Sequence, residues 1–324
     1  MGGVAMVRAS RFVASLLAFA FSGISLAQQF PSKSVRVVIP FPGGAPSDNF
    51  GRVITAPLAQ ALGQPVVIEN RPGADGAIGA ETVIQAAPDG YTLFLTTPTP
   101  IVSAPLLKKQ PPYDPQKAFT PIMLLARFPV FLIVSATLPV KTGQEFLAYA
   151  RERPGKLNYA SGNVAAHLFA EALNKATGIQ LVQVPYKSEV LTYPDLLSGR
   201  VHANFSTGAV LGSVKEGKLR ALAVMLDKRS SLALDVPTAA EAGLPPASIT
   251  TFVGLFGPAG MPRPVVDRIA RELNIIVGRA DIREQSDRTG FHAEGSSPEQ
   301  FAAFLKQQHE VWRQAIADAG IQPD

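Results

Sequence analysis

Short runs of apolar and β-branched residues alternate along most of this chain with segments whose apolar residues recur every three or four positions. That is the pattern of strands joined by amphipathic helices, with mainly parallel sheets. Residues 35–40 read as a strand. Phe50, Val53, Ile54, Leu58, Ala61 and Leu62 then follow at helical spacing, with Pro57 expected to kink the helix and Gly63 and Pro65 to end it. A strand over 66–69, a helix over 78–86 and a strand over 91–96 complete a first series. A second series comprises strands over 131–135, 157–160, 181–184, 201–205 and 219–224. It also predicts helices over 143–151, 165–177 and 210–216. A strand over 249–256 follows, then a helix opened by Pro262 and Pro264. The last helix begins with the capping box Ser297-Pro298-Glu299-Gln300 and carries Phe301, Phe304, Leu305, Gln308, Val311, Trp312 and Ile316 toward Gly320. Two series imply two lobes. Crossings near Ser135 and Thr251 give a discontinuous first lobe, 28–134 with 252–324, and a continuous second lobe, 135–251.

The first residues change the picture of where the protein works. Arg8 and Arg11 precede an apolar core over 12–21, and Ser25-Leu26-Ala27 offers the small residues of a cleavage site, so residues 1–27 read as a signal peptide cut after Ala27. The apolar core is about half the length that spans a bilayer. With no cysteine in the chain, disulfides, thiolate metal sites and a lipid anchor at the cleavage point are excluded. Two of the positive charges lie in the leader, so its removal takes the formal charge from +5 to +3. That balance is mild and dispersed, and does not indicate nucleic acid.

Ligands of open α/β sheets bind beyond the carboxyl ends of strands, where loops lead into helix N-termini. Each lobe offers one such junction. In the first, the 35–40 strand runs into Phe41-Pro42-Gly43-Gly44-Ala45-Pro46-Ser47-Asp48. In the second, the 157–160 strand runs into Ser161-Gly162-Asn163, ahead of a helix holding His167. Each loop alone is ordinary turn chemistry. Facing each other, they would aim two sets of helix N–H donors at one carboxylate, each helix end contributing about 0.3 to 2 kcal/mol. Asp48 is assigned to capping, because a free carboxylate would repel an anion. The segment from Gly73 to Gly79 spaces its glycines G-x-x-G-x-x-G, which is not a dinucleotide loop, and reads as packing and turn glycines. His167, His202, His292 and His309 show no metal-ligand spacing, and no metal or cofactor is expected. An exported hydrolase using Ser47 or Ser161 with His167 is the enzymatic alternative, although no nucleophile-elbow motif surrounds either serine.

Ordered blocks along the mature chain resemble the Bug family of extracytoplasmic solute receptors. They include Leu62-Gly63-Gln64-Pro65-Val66-Val67-Ile68-Glu69-Asn70-Arg71-Pro72-Gly73, Ala87-Pro88-Asp89-Gly90-Tyr91-Thr92-Leu93, Lys156-Leu157-Asn158-Tyr159-Ala160-Ser161, Val184-Pro185-Tyr186-Lys187, Asp235-Val236-Pro237-Thr238 and Gly254-Leu255-Phe256-Gly257-Pro258. The resemblance implies a type II-like Venus flytrap of two α/β lobes joined by crossing strands. It also implies a periplasmic, non-enzymatic, monomeric receptor that passes a small organic carboxylate to a tripartite tricarboxylate transporter. A sensory receptor presenting its liganded form to a membrane kinase is compatible with the same fold. By resemblance the carboxylate is gripped by the first loop and by Thr96-Thr97-Pro98-Thr99, and Tyr186 and Ser206 join the site from the second lobe. Some positions depart from the family pattern: Gly43-Gly44-Ala45 replaces Pro-Gly-Gly, Val164-Ala165-Ala166 is apolar where hydroxyls are usual, and Ser206 stands where aspartate is common. Fewer donors for a second carboxylate imply a monocarboxylate with an apolar or neutral distal end.

Overall fold

β1 (Val35–Ile39) is buried on both faces, as a parallel strand covered by helices must be. It opens the chain described by this computed structural model, which covers residues 30–246 and 249–323. The leader and its cleavage point lie outside the described residues. After β1 come α1 (Pro46–Leu62), β2 (Val66–Asn70), α2 (Ala77–Ile84), β3 (Thr92–Thr96), β4 (Phe119–Arg127), β5 (Phe131–Ser135), α3 (Gly143–Arg151), β6 (Leu157–Ser161), α4 (Val164–Thr177) and β7 (Leu181–Pro185). The remainder is α5 (Tyr193–Ser198), β8 (Ala203–Ser206), α6 (Leu211–Lys215), β9 (Leu219–Val224), β10 (Phe252–Pro258), α7 (Arg263–Gly278), α8 (Ala280–Arg288), β11 (His292–Ala293) and α9 (Pro298–Asp318).

The strands form two sheets, a six-stranded one ordered β11-β4-β10-β3-β1-β2 and a five-stranded one ordered β7-β6-β8-β5-β9. β1, β2 and β3 are mutually parallel, and so are β6, β7 and β8. β10 is antiparallel to both β3 and β4, and β5 to both β8 and β9, so each sheet is mixed. The antiparallel members are the strands on either side of the lobe crossings. Because β5 pairs within the five-stranded sheet, the first change of sheet falls at residues 128–130, ahead of the expected Ser135. The two crossings are tied together: the Thr251 hydroxyl donates to the Phe128 carbonyl, and the Met225 amide to that of Val130.

Local chemistry sets the helix ends. α1 stops at Gly63, whose φ of 68° suits a residue without a side chain. α4 ends at Gly178 in the same conformation, and Asn174 bonds both backbone groups of Leu181, turning the chain back into β7. α9 starts with the expected capping box, in which Ser297 and Gln300 each bond the other's backbone amide.

α9 bears on both lobes. Near its start Phe301 fills a niche over β10 that only glycine leaves open: a Cβ on Gly254 would lie 2.3 Å from the Phe301 ring and 2.9 Å from that of Phe256. Toward its end Trp312 and Ile316 share a core with Ala166, Ala170 and Leu173 of α4, and Lys175 pairs with Asp318 at 2.8 Å. Gly254→Ala is therefore expected to destabilise the protein by about 1–3 kcal/mol through overpacking. Gly278→Ala, in open space at the end of α7, should be neutral or stabilise by up to about 1 kcal/mol. Urea unfolding midpoints of the two variants check this; equal midpoints would contradict the packing account.

Candidate functional site

Between the lobes lies a cleft of about 600 Å³. Its walls come from the carboxyl ends of parallel strands in both sheets: Asp75 after β2 and Thr97, Pro98 and Thr99 after β3 on one side, and Gly162, Asn163, Lys187, Glu189 and Thr207 after β6, β7 and β8 on the other. Phe128, Val130 and Thr251 of the crossings and Trp312 of α9 also line it. This is the position at which open α/β sheets take ligands.

The second-lobe wall is the start of α4. Gly162 is required there because a Cβ would come within 2.4 Å of the Glu189 backbone nitrogen. The Asn163 side chain accepts from the Ala166 amide at 2.9 Å, making Asn163 the cap of α4 as well as a cleft residue. Val164 and Ala165 also line the cleft, and as first-turn residues their amides have no acceptor within the helix. Glu189 anchors this wall: its Oε1 accepts from Tyr193 Oη and from both the amide and hydroxyl of Thr207, at 2.8–2.9 Å. Lys187 is exposed on the cleft with no ion-pair partner among the described residues. Lys108 and Lys187 are balanced by Asp75 and Glu189, and no arginine lines the cleft.

The first-lobe wall differs from expectation. Thr97 and Thr99 line the cleft, and 99–103 winds into a wide helical turn of the rare i→i+5 kind often found at functional sites. Thr96 is fully buried in β3 and does not reach the cleft. Phe41, Pro42, Gly43, Gly44, Ala45, Pro46 and Ser47 lie on the same edge of the sheet but outside the cleft wall. The turn at Ala74–Gly76 packs between them and the cleft, where a Cβ on Gly76 would meet Pro40 on one side and Pro100 on the other. Ala74 and Asp75 adopt left-handed backbone angles there, at φ 47° and 52°, a strain that non-glycine residues carry mainly at functional sites.

Asp48 is not the cap of α1. Ala45 occupies that position with Pro46 next, and Asp48 two residues further on reaches back to accept the Gly44 amide at 2.9 Å. Arg52 and Asn70 bond the same carboxylate, and these three partners hold its pKa below the usual range in spite of burial. Gly44's amide, expected to face a ligand, is therefore engaged by an internal anion.

The remaining expected residues are structural neighbours of the cleft. Ser161 Oγ accepts from Gln183 at 2.7 Å. Tyr186 donates to Asp195 at 2.6 Å. Ser206 is fully buried, on the face of β8 opposite Phe205 and Thr207, which line the cleft. His167 Nδ1 lies 2.6 Å from Tyr159 Oη, which donates to Glu171 at 2.7 Å. Since that hydroxyl has one proton, His167 is the donor to it, neutral and protonated on Nδ1. Among the described residues neither Ser47 nor Ser161 is recorded in a hydrogen bond with His167; the Ser161 hydroxyl accepts from Gln183 and His167 Nδ1 bonds Tyr159. Pattern reading missed Trp312, Thr207 and the crossing residues, because each occupies an ordinary strand, loop or helix position in the sequence.

The sequence model described as the tripartite tricarboxylate transporter family receptor matches residues 50–321. A Pseudomonas sp. protein described as the UPF0065 protein in the tcbD-tcbE intergenic region is 34% identical over 294 residues, covering 89% of this chain and 87% of its own length. The structure of R. palustris Rpa4515 with adipate has 32% identity and a TM-score of 0.78, covering 91% of this chain and 100% of that one. The structure of periplasmic binding protein BugD has 31% identity and a TM-score of 0.72, covering 90% and 99%. The chain belongs to the tripartite tricarboxylate transporter receptor family, whose members are periplasmic solute-binding proteins.

Burial holds the pKa of His167 below the ordinary histidine value, and does the same to His202 and His309. Below about pH 6.5 the unfolded chain binds protons that the folded one refuses, so stability present at neutral pH is lost as pH falls. Urea midpoints are expected to drop between pH 7.5 and pH 5, with a smaller drop in His167→Gln; a flat profile would contradict the assignment.

Proposed function

We propose that this family member is exported to the periplasm, with residues 1–27 removed, and captures a small organic carboxylate in the interlobe cleft for delivery to the membrane subunits of a tripartite tricarboxylate transporter. The observation carrying this reading is the pairing of donors across the cleft. Thr97 and Thr99 line it from one lobe, and Val164 and Ala165, whose first-turn amides have no acceptor within their helix, line it from the other. A carboxylate bridging the two walls would favour the closed form by its differential contacts with it.

Neutral donors at a helix N-terminus attract an anion without the desolvation cost of a buried arginine. The cleft's two lysines and two carboxylates cancel, which favours one ligand charge over three. The ligand is accordingly a monocarboxylate with a neutral or apolar distal end, and it leaves the protein chemically unchanged.

Calorimetry on the exported protein with a panel of mono-, di- and tricarboxylates tests this. At least one monocarboxylate is expected to bind with micromolar affinity or better, about −8 kcal/mol. It should also raise the melting temperature by mass action. A tricarboxylate binding more tightly than every monocarboxylate would remove the ligand assignment, and silence across the panel would remove the receptor reading.

A further inference from the structure

Glu189 lines the cleft with its two carboxylate oxygens in different states. Oε1 accepts from Tyr193 Oη and from the amide and hydroxyl of Thr207, itself a cleft residue. Oε2 accepts from no group among the described residues. It is also not one of their buried unpartnered side-chain atoms, so it stays open to solvent on a half-buried residue. Anchoring the wall does not by itself call for an acid: all three donors meet Oε1, and the amide oxygen of a glutamine would hold them as well. The backbone of Glu189 touches the start of α4 directly, since a Cβ on Gly162 would lie 2.4 Å from the Glu189 nitrogen and 2.5 Å from its Cα. An accessible anionic acceptor and the first-turn amides of Val164 and Ala165 thus belong to one stretch of cleft wall.

We propose that Glu189 determines specificity, its Oε2 accepting a hydrogen bond from a hydroxyl of the ligand while the ligand's carboxylate rests on the first turn of α4. The inference rests on the carboxylate-receptor reading and narrows it to hydroxylated monocarboxylic acids. An ionised carboxylate accepts and cannot donate. A ketone or a second carboxylate brings only another acceptor, and is rejected by leaving both groups unpaired or in repulsion. An ammonium group is disfavoured by Lys187, two residues away on the same wall, which is exposed and pairs with no carboxylate among the described residues. The charge of Glu189 also sets the ligand's direction, drawing the hydroxyl toward itself and turning the carboxylate away onto the amides.

Calorimetry on the exported protein tests this with matched series: lactate, propionate and pyruvate; γ-hydroxybutyrate, butyrate, γ-aminobutyrate and succinate; ω-hydroxycaproate, caproate, ω-aminocaproate and adipate. The tightest ligand is expected to be a hydroxy acid, about tenfold ahead of the other members of its series. In Glu189→Gln the Thr207 amide, a donor that cannot reverse, keeps the new side-chain oxygen at the Oε1 position, so an NH2 group stands where Oε2 stood. The hydroxy acid should then lose its lead, and the keto acid or dicarboxylate of the same series should gain about tenfold relative to it. A residue that only anchors the wall would weaken every member alike. Equal affinities within each series, or an equal loss across a series in Glu189→Gln, would overturn the role of Glu189 and leave the receptor reading standing. A plain, keto, amino or dicarboxylic acid as the tightest ligand would remove the hydroxy-acid class. Absence of binding by every acid would take away the receptor reading and this inference with it. The wild-type order decides the matter even if Glu189→Gln folds poorly.

Discussion

The contact of α9 with both lobes constrains much of the rest of the structure. Phe301 sits in the space left by Gly254 on β10. Three helical turns later Trp312 lies in one core with residues of α4, and the Lys175–Asp318 pair closes the far end. One helix therefore links the six-stranded sheet to α4 of the second lobe. The crossings contribute the second support, through hydrogen bonds between Phe128 and Thr251 and between Val130 and Met225. The volume between these supports and the strand ends is the cleft.

Within that frame the electrostatics are quiet. No arginine lines the cleft, and one of its two carboxylates, Glu189, is occupied at Oε1 with Thr207 and Tyr193. Attraction for an anion falls to amides and hydroxyls, which suits a receptor that must also release its ligand. The neighbouring carboxylate Asp48 serves a different purpose: it folds the β1 loop back on itself by taking the Gly44 amide. A helix start whose nearest amide already has an internal anion is a weaker place for an external one.

Much of the architecture is legible in the sequence because it rests on local rules. The strand and helix alternation, the stop at Gly63 and the capping box at Ser297 each follow from residues within a few positions of one another. The glycines between Gly73 and Gly79 act as packing and turn glycines, Gly76 between Pro40 and Pro100. The first sheet change was misplaced because β5 is apolar enough to belong to either sheet, and only its pairing decides. The cap of α1 was misread because Pro46 next to Ala45 sets the helix start sterically, with no side-chain bond required. The cleft's composition was only half legible. Thr97, Thr99, Gly162 and Asn163 follow a strand directly, whereas Trp312 looks like any apolar position of an amphipathic helix, and its place on the cleft exists only once the helix is packed.

The account is tested most directly by a crystal structure of the exported protein with a bound acid. It predicts a carboxylate about 3 Å from the amides of Val164 and Ala165, with a hydroxyl of Thr97 or Thr99 reaching it from the other lobe. A carboxylate held by the 41–47 loop alone, or seated outside the cleft, would contradict it.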